Sequence, residues 1–264
     1  MKELKLLYLY PDMLDLYGDY GNIQVLKYRC EKRDINLIVD EYRVEDSMPD
    51  FSQYDIVFAG GGADNEQSIL ASDLVNCKDN IKLAVENGTF FLLICGAYQL
   101  FGKYYKGFDG NKIPGLEIFD YYTEAIEDRK KRCIGNIVTM AKINGKNTEV
   151  IGFENHGGQT YGVETPFGKV LSGNGNKFGD KEEGFFIKNV IATYLHGPLL
   201  SKNPKITDYI IKYSLDRKYQ DNIETEDSEE KLLNGIANNN DELTELDDYF
   251  EEKCREQLLK KILG

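Results

Sequence analysis

The stretch "TFFLLICGAYQLFG", residues 89–102, decides how the chain is read. Thr89 to Ile94 are all apolar or β-branched, a short unbroken run that suits a strand buried on both faces of a parallel sheet. The run ends at Cys95, and Gly96 opens a helical pattern. A strand that turns so sharply into a helix lifts the residue at the turn clear of the sheet. The first N–H groups of the helix and its dipole then favour a thiolate and can hold an oxyanion. The same position also suits a buried core cysteine, a common fate for that residue type. From this stretch alone the two readings stand level.

Outward from it, "LKLLYLY" (4–10), "NLIVDEY" (36–42) and "YDIVFAGGG" (54–62) predict further strands. "GNIQVLKYRCEKR" (21–33) predicts a helix whose basic last turn suits its dipole, and "NEQSILASDLV" (65–75) and "NIKLAVENG" (80–88) predict two more, with Gly88 as a C-terminal cap. Strands alternating with helices give an α/β fold, a doubly wound, mostly parallel sheet flanked by helices and flavodoxin-like. Beyond residue 132 the texture changes to "CIGNIVTMA", "TEVIGFENHGGQTYG", "GKVLSGNGN" and "EGFFIKN", an antiparallel hairpin region beside the main sheet. "VIATYLHGPLL" (190–200) returns as a strand ending at His196, and "ITDYIIKYSLDRK" (206–218) closes the unit as a helix.

A hydrophobic content of 41% in 264 residues supports one large core over residues 1–220. Residues 221–264 read as an acidic linker and a last helix, "YFEEKCREQLLKKIL". That helix is read as solvated, or else as docked on a partner or on its own core. The net charge is −13, of which −9 falls in residues 221–264 and −4 in the rest. An acidic chain argues against nucleic acid and anionic membrane as partners, since both need a basic footprint. No run reaches membrane-spanning length, and the N-terminus lacks a signal-peptide pattern, so direct membrane insertion is not expected and a cytoplasmic protein is. Five scattered cysteines (Cys30, Cys77, Cys95, Cys133 and Cys254) and two histidines support neither a disulfide framework nor a metal site.

Three features fall at predicted strand ends, where open parallel sheets place their active sites: Gly60-Gly61-Gly62, Cys95 and His196. A Cys–His pair is the minimum for covalent acyl transfer, with histidine taking the thiol proton and returning it to the leaving amine. The glycine run permits close approach of backbone amides but lacks the ending of a phosphate loop. His156, in "GFENHGGQTYG", is read as structural or as lining the site.

"AGGG", "ICGAYQ" and "YLHGP", in that order, resemble the class I glutamine amidotransferases, whose glutaminase domains release ammonia for a ligase. Within them "LYLYPDMLDLYGDYGNI", "GGGADNEQ", "ICGAYQLFG", "GFENHGGQTYG" and "ATYLHGP" are most similar to the GatD-type glutaminases of lipid II isoglutaminyl synthase, a match over residues 1 to 215. The resemblance implies that Cys95 attacks the carboxamide of L-glutamine and that His196 is base and then acid. It also implies that Gly61 or Gly62, with Gly96, holds the oxyanion, and that Gln99 lines the substrate site. Arg132, in "RCIGNI", would grip the substrate α-carboxylate, with Arg129 as its competitor. It implies no cofactor in this subunit and a heterodimer with a MurT-like Mur ligase, which would use ATP and Mg to amidate the D-glutamate α-carboxyl of the lipid II stem peptide. Triad amidotransferases carry His-x-Glu, but Gly197-Pro198 follow His196 here, as in the dyad branch of the cobyrinic and cobyric acid synthases. An unoriented histidine is a weaker base, so the partner is expected to orient His196, a carboxylate across the interface being one means of doing so. Two alternatives remain: service to another ligase of the cobyric acid type, and a non-catalytic cysteine sensor on the same fold.

Overall fold

The computed structural model describes residues 2–219 and 243–264. Most of the acidic linker lies outside the described residues. The run at 89–94 forms β4 (Phe90–Ile94), all five residues of which are buried. It is central because it has parallel neighbours on both sides: Phe91 lies opposite Val57 of β3 (Ile56–Ala59) and Val190 of β14 (Val190–Thr193). With β1 (Lys2–Leu9), β2 (Ile35–Tyr42) and β13 (Phe185–Ile187), the sheet order is β13-β14-β4-β3-β1-β2, parallel except for the β13 edge. Each large aliphatic or aromatic side chain buried here contributes about 1.5–3 kcal/mol, so this layer is the main source of cohesion.

The helices α1 (Gly21–Glu31), α2 (Asp64–Asn76), α3 (Lys78–Glu86) and α4 (Gly96–Phe101) connect these strands. Gly88 closes α3 in the left-handed region at φ 80°, as a C-terminal cap requires. Chain order reverses between β1 and β3, the crevice where doubly wound sheets bind ligands. The carboxyl ends of β1, β3, β4 and β14 bring residues 15–20, 60–62, 95 and 194–198 to that edge.

Two smaller sheets complete the unit. One has the order β12-β11-β8-β9, from β8 (Cys133–Ile143), β9 (Lys146–His156), β11 (Gly168–Ser172) and β12 (Glu182–Glu183). Its long hairpin turns at Asn144-Gly145, both left-handed, the pair that a two-residue hairpin favours. The other has the order β10-β7-β5-β6, from β5 (Tyr104–Lys106), β6 (Lys112–Pro114), β7 (Tyr122–Ala125) and β10 (Gly158–Tyr161). Three of its strands precede residue 132 and β5 pairs with β7 in parallel, so the smaller sheets begin earlier than the sequence texture indicates and are not antiparallel throughout.

The strand expected to run to His196 stops at Thr193. His196 is held by two backbone hydrogen bonds with Phe153 of β9, at 2.9 and 3.1 Å. The turn between is fixed by Glu183, whose Oε1 accepts from Thr193 Oγ1 (2.7 Å) and Tyr194 N (2.8 Å). Burial raises the Glu183 carboxyl to about 8, so it is protonated in the fold at neutral pH.

The last helix, α7 (Tyr249–Leu263), follows α5 (Leu199–Lys202) and α6 (Pro204–Tyr219) and docks on the chain's own core. Arg255 is buried, its Nη1 donating to Lys202 O (2.6 Å) and Asn203 Oδ1 (2.7 Å) and its Nη2 to Glu149 O (2.8 Å). Asp248 pairs with Arg29 at 2.5 Å, and Arg29 also grips Asp208 of α6 at 2.7 Å. Arg29, in the basic last turn of α1, is thus also a buried cross-link between helices.

Two outcomes follow from these contacts. Arg255→Ala strands buried acceptors worth about 1–3 kcal/mol, so trypsin should cut α7 faster than in the wild type; equal cleavage rates would contradict the docking. Glu183 binds its proton up to about pH 8 in the fold but only to about 4.3 when unfolded, so its contribution is lost as pH rises through 8. Melting temperature should therefore fall less between pH 5 and pH 9 in Glu183→Gln than in the wild type, and parallel slopes would refute this.

Candidate active site

Cys95 sits at φ 51°, ψ −100°, a backbone conformation that costs a non-glycine residue on the order of 1–3 kcal/mol. Hydrogen bonds on both sides hold it there: its N–H donates to Thr193 O (2.8 Å) and its carbonyl accepts from Gln99 N (3.0 Å). The turn presses the chain against the glycine run. A Cβ on Gly61 would lie 2.8 Å from His196 Cε1 and 3.3 Å from both Cys95 Cβ and Asp19 Oδ2. A Cβ on Gly96 would lie 2.9 Å from Gly62 N. Both glycines serve close approach rather than unusual torsion angles.

His196 is fully buried. Its Nδ1 donates to Asp19, at 3.0 Å from Oδ1 and 3.1 Å from Oδ2. Its Nε2 has no hydrogen-bond partner among the described residues and is left for the Cys95 thiol. Burial opposes charge on the ring, but Cys95 and Asp19 outweigh it and raise His196 to about 10. At neutral pH the buried His196 ring is therefore charged beside Cys95.

Asp19 is the acid that the residues after His196 do not supply. It comes from the loop after β1 in the same chain, which corrects the expectation of a carboxylate from a partner. Its Oδ2 also accepts the Gly61 N–H at 2.9 Å. Of the three glycines expected around an oxyanion, Gly61 thus points its N–H at Asp19, and Gly62 and Gly96 are the candidates that remain.

Gln99 lies one turn behind Cys95 and is tied into the wall of the site. Its Oε1 accepts from Gln67 Nε2 (3.0 Å) and its Nε2 donates to Tyr194 OH (3.3 Å). Arg132 lies just before β8 and reaches the site through a relay. Its Nε donates to Asn155 Oδ1 (3.1 Å), and Asn155 Nδ2 donates to Tyr17 OH (2.6 Å). The Tyr17 ring meets His196 edge-on, with centroids 4.9 Å apart. Arg129, its competitor, falls in a short 3-10 turn, Arg129–Lys131. Tyr17, Asn155 and Asp19 carry no sequence signal that picks them out, although all three lie in quoted motifs.

His156 is tied to the backbone and to the wall of the site. Its Nδ1 donates to Gly158 O (2.7 Å), its ring stacks on Tyr194 at 3.6 Å, and burial, then the nearby His196 and Arg132, lower it to about 3. One atom each of Cys133, Glu154 and His156 lie within 4.8 Å of one another, as a metal site would need. The donor set fits poorly: Glu154 already accepts from Asn174 N, Asn174 Nδ2 and Gly175 N at 2.8–3.0 Å, and burial pushes the Cys133 thiol up to about 12. The cluster anchors the 174–175 loop to β9.

Residues 5–204 match the CobB/CobQ-like glutamine amidotransferase domain. The chain is 42% identical over 218 residues, covering 83% of this chain and 87% of the relative, to the lipid II isoglutaminyl synthase (glutamine-hydrolyzing) subunit GatD of Staphylococcus aureus. It is 38% identical over 239 residues, 89% of each chain, to the subunit of the same name from Streptococcus pneumoniae. A probable cobyric acid synthase of Methanococcus vannielii is 35% identical over 158 residues, which is 31% of that protein. Among solved structures, PurLQS from Thermotoga maritima shares the fold, with a TM-score of 0.53 at 12% identity over 82% of this chain and 99% of that one. With the domain match spanning most of its length, the chain belongs to the CobB/CobQ-like glutamine amidotransferase family.

Proposed function

We propose that this chain is the glutaminase subunit of a lipid II isoglutaminyl synthase. It hydrolyses L-glutamine through Cys95 and His196 and passes ammonia to a MurT-like ATP-dependent ligase, which amidates the D-glutamate α-carboxyl of the stem peptide. The observation that carries the hydrolysis is the buried His196, charged beside a cysteine on a strained strand-to-helix turn. The acceptor and the heterodimer rest on likeness to the two GatD relatives, matched over 87% and 89% of their lengths, against 31% for the cobyric acid synthase. ATP and Mg belong to the ligase in this reading, this subunit needs no cofactor, and the reaction takes place in the cytoplasm, in a chain whose described residues contain no helix long and apolar enough to cross a membrane.

Cys95 Sγ adds to the carboxamide carbon, and the oxygen takes negative charge within reach of the Gly62 and Gly96 N–H groups. His196 Nε2–H protonates the leaving nitrogen; the C–N bond breaks, ammonia leaves and a γ-glutamyl thioester remains on Cys95. Neutral His196 then takes a proton from water as its oxygen attacks the thioester, and the C–S bond breaks to free glutamate and restore the pair. Arg132, drawn off Asn155, receives the α-carboxylate as a charge-assisted pair.

The test is the complex with a candidate ligase, ATP, Mg and lipid II. Cys95→Ala should lose glutamate release and glutamine-dependent amidation by at least about 10³-fold, while amidation from ammonium salts survives. Amidation from glutamine at the wild-type rate would sink the reading. Arg132→Ala should raise KM for glutamine roughly 10- to 100-fold with a smaller change in kcat; an unchanged KM would remove Arg132 from the substrate site.

A further inference from the structure

We infer that Asp19 is the positioning residue of this site, completing a Cys95–His196–Asp19 relay within one chain and locking the His196 ring and the Gly61 turn into one register. The inference rests on the glutaminase reading above and deepens it. Asp19 is fully buried, and a buried carboxylate is costly unless a cation or several donors compensate it. Among the described residues its one ion pair is with His196. Its two oxygens are shared between the ring and the Gly61 N–H.

The backbone around Asp19 is built to hold it. Its carbonyl accepts from Asn22 N (2.9 Å) and Asn22 Nδ2 (3.0 Å) at the start of α1. Asn22 Oδ1 in turn accepts from Leu200 N at 2.9 Å, four residues past His196. A Cβ on Gly21 would overlap the Pro198 ring at 2.2 Å, so the 19–22 loop and the 196–200 segment lie in direct contact. The acid is therefore set 177 positions before the histidine in sequence but pinned to the same turn in space.

Accepting the Nδ1–H bond fixes which nitrogen faces Cys95: Nε2 alone carries the proton that shuttles between sulfur, leaving nitrogen and water. Asp19 acts through the ring, as a positioning residue. The other groups around the ring are the Tyr17 edge, neutral His156, and Lys202, whose Nζ donates to Gly197 O. None of these offers a second anion to replace Asp19. The relay needs no carboxylate from a ligase, whatever else the ligase does to turnover.

The experiment uses the complex with its ligase and the variants Asp19→Asn and Asp19→Glu. Asparagine keeps the size but removes the charge, and its amide nitrogen, in place of one carboxylate oxygen, cannot accept a hydrogen bond from the ring or from Gly61 N–H. Asp19→Asn should lower kcat for glutamate release by roughly 10²–10⁴-fold, with KM for glutamine within about threefold. The alkaline limb of its pH profile should move to lower pH as His196 loses a stabilising anion, and Asp19→Glu should recover part of the rate. Alkylation of Cys95 by iodoacetamide, measured against pH, needs no glutamine, so it reads the relay even if glutamine proves not to be the substrate. In Asp19→Asn that alkylation profile should shift with the loss of the ion pair. A kcat within threefold of wild type, or an unshifted alkylation profile, would overturn the inference.

Discussion

The site depends on one backbone constraint, the strand-to-helix turn that holds Cys95 at a positive φ. Such a conformation persists only where its surroundings over-determine it. Here β4 is clamped between β3 and β14 before the turn, and the wholly buried α4 begins directly after it. The clamp sets more than the cysteine. Because the turn lies against Gly60–Gly62, it also sets the gap in which an oxyanion can sit, and a methyl group on Gly61 would collide with His196. Thr193, which receives the Cys95 N–H, also bonds Glu183, so nucleophile and histidine are positioned by neighbouring links of one hydrogen-bond chain.

Electrostatics then act on that frame. Burial alone would leave His196 neutral, as it leaves His156. The difference between the two histidines is their partners: a carbonyl oxygen for His156, a carboxylate and a thiol for His196. Two rings in the same protein are thus pushed in opposite directions from the same ordinary value, and the charged one faces the strained cysteine. His156 and Tyr194 instead form a stacked, neutral wall behind Gln99.

The parts of the fold legible in the sequence are those whose residues are decided locally. The run at 90–94 could be read because a strand buried on both faces has no polar positions, and Asn144-Gly145 suits a two-residue hairpin. The strands β5, β6 and β7 are three or four residues long and partly exposed, so they leave no periodic trace. Asp19 shows the limit most clearly. The stretch before α1 holds Asp12, Asp15 and Asp19, alike in sequence context. In three dimensions Asp12 pairs with exposed Arg43, Asp15 accepts the Tyr20 N–H, and Asp19 alone turns inward to His196. That distinction is made by the contact between the 19–22 loop and Pro198, at a separation in sequence that no local pattern spans. The C-terminal helix is a similar case: its composition suits solvent, and the single buried Arg255 docks it.

The most direct measurement of the central claim is covalent labelling of the complex with a chloroketone analogue of glutamine, mapped by peptide mass spectrometry. The account predicts one label per chain, on Cys95, slowed by excess L-glutamine and absent in His196→Ala at neutral pH. Label on another cysteine, or labelling of Cys95 that glutamine does not slow, would contradict it.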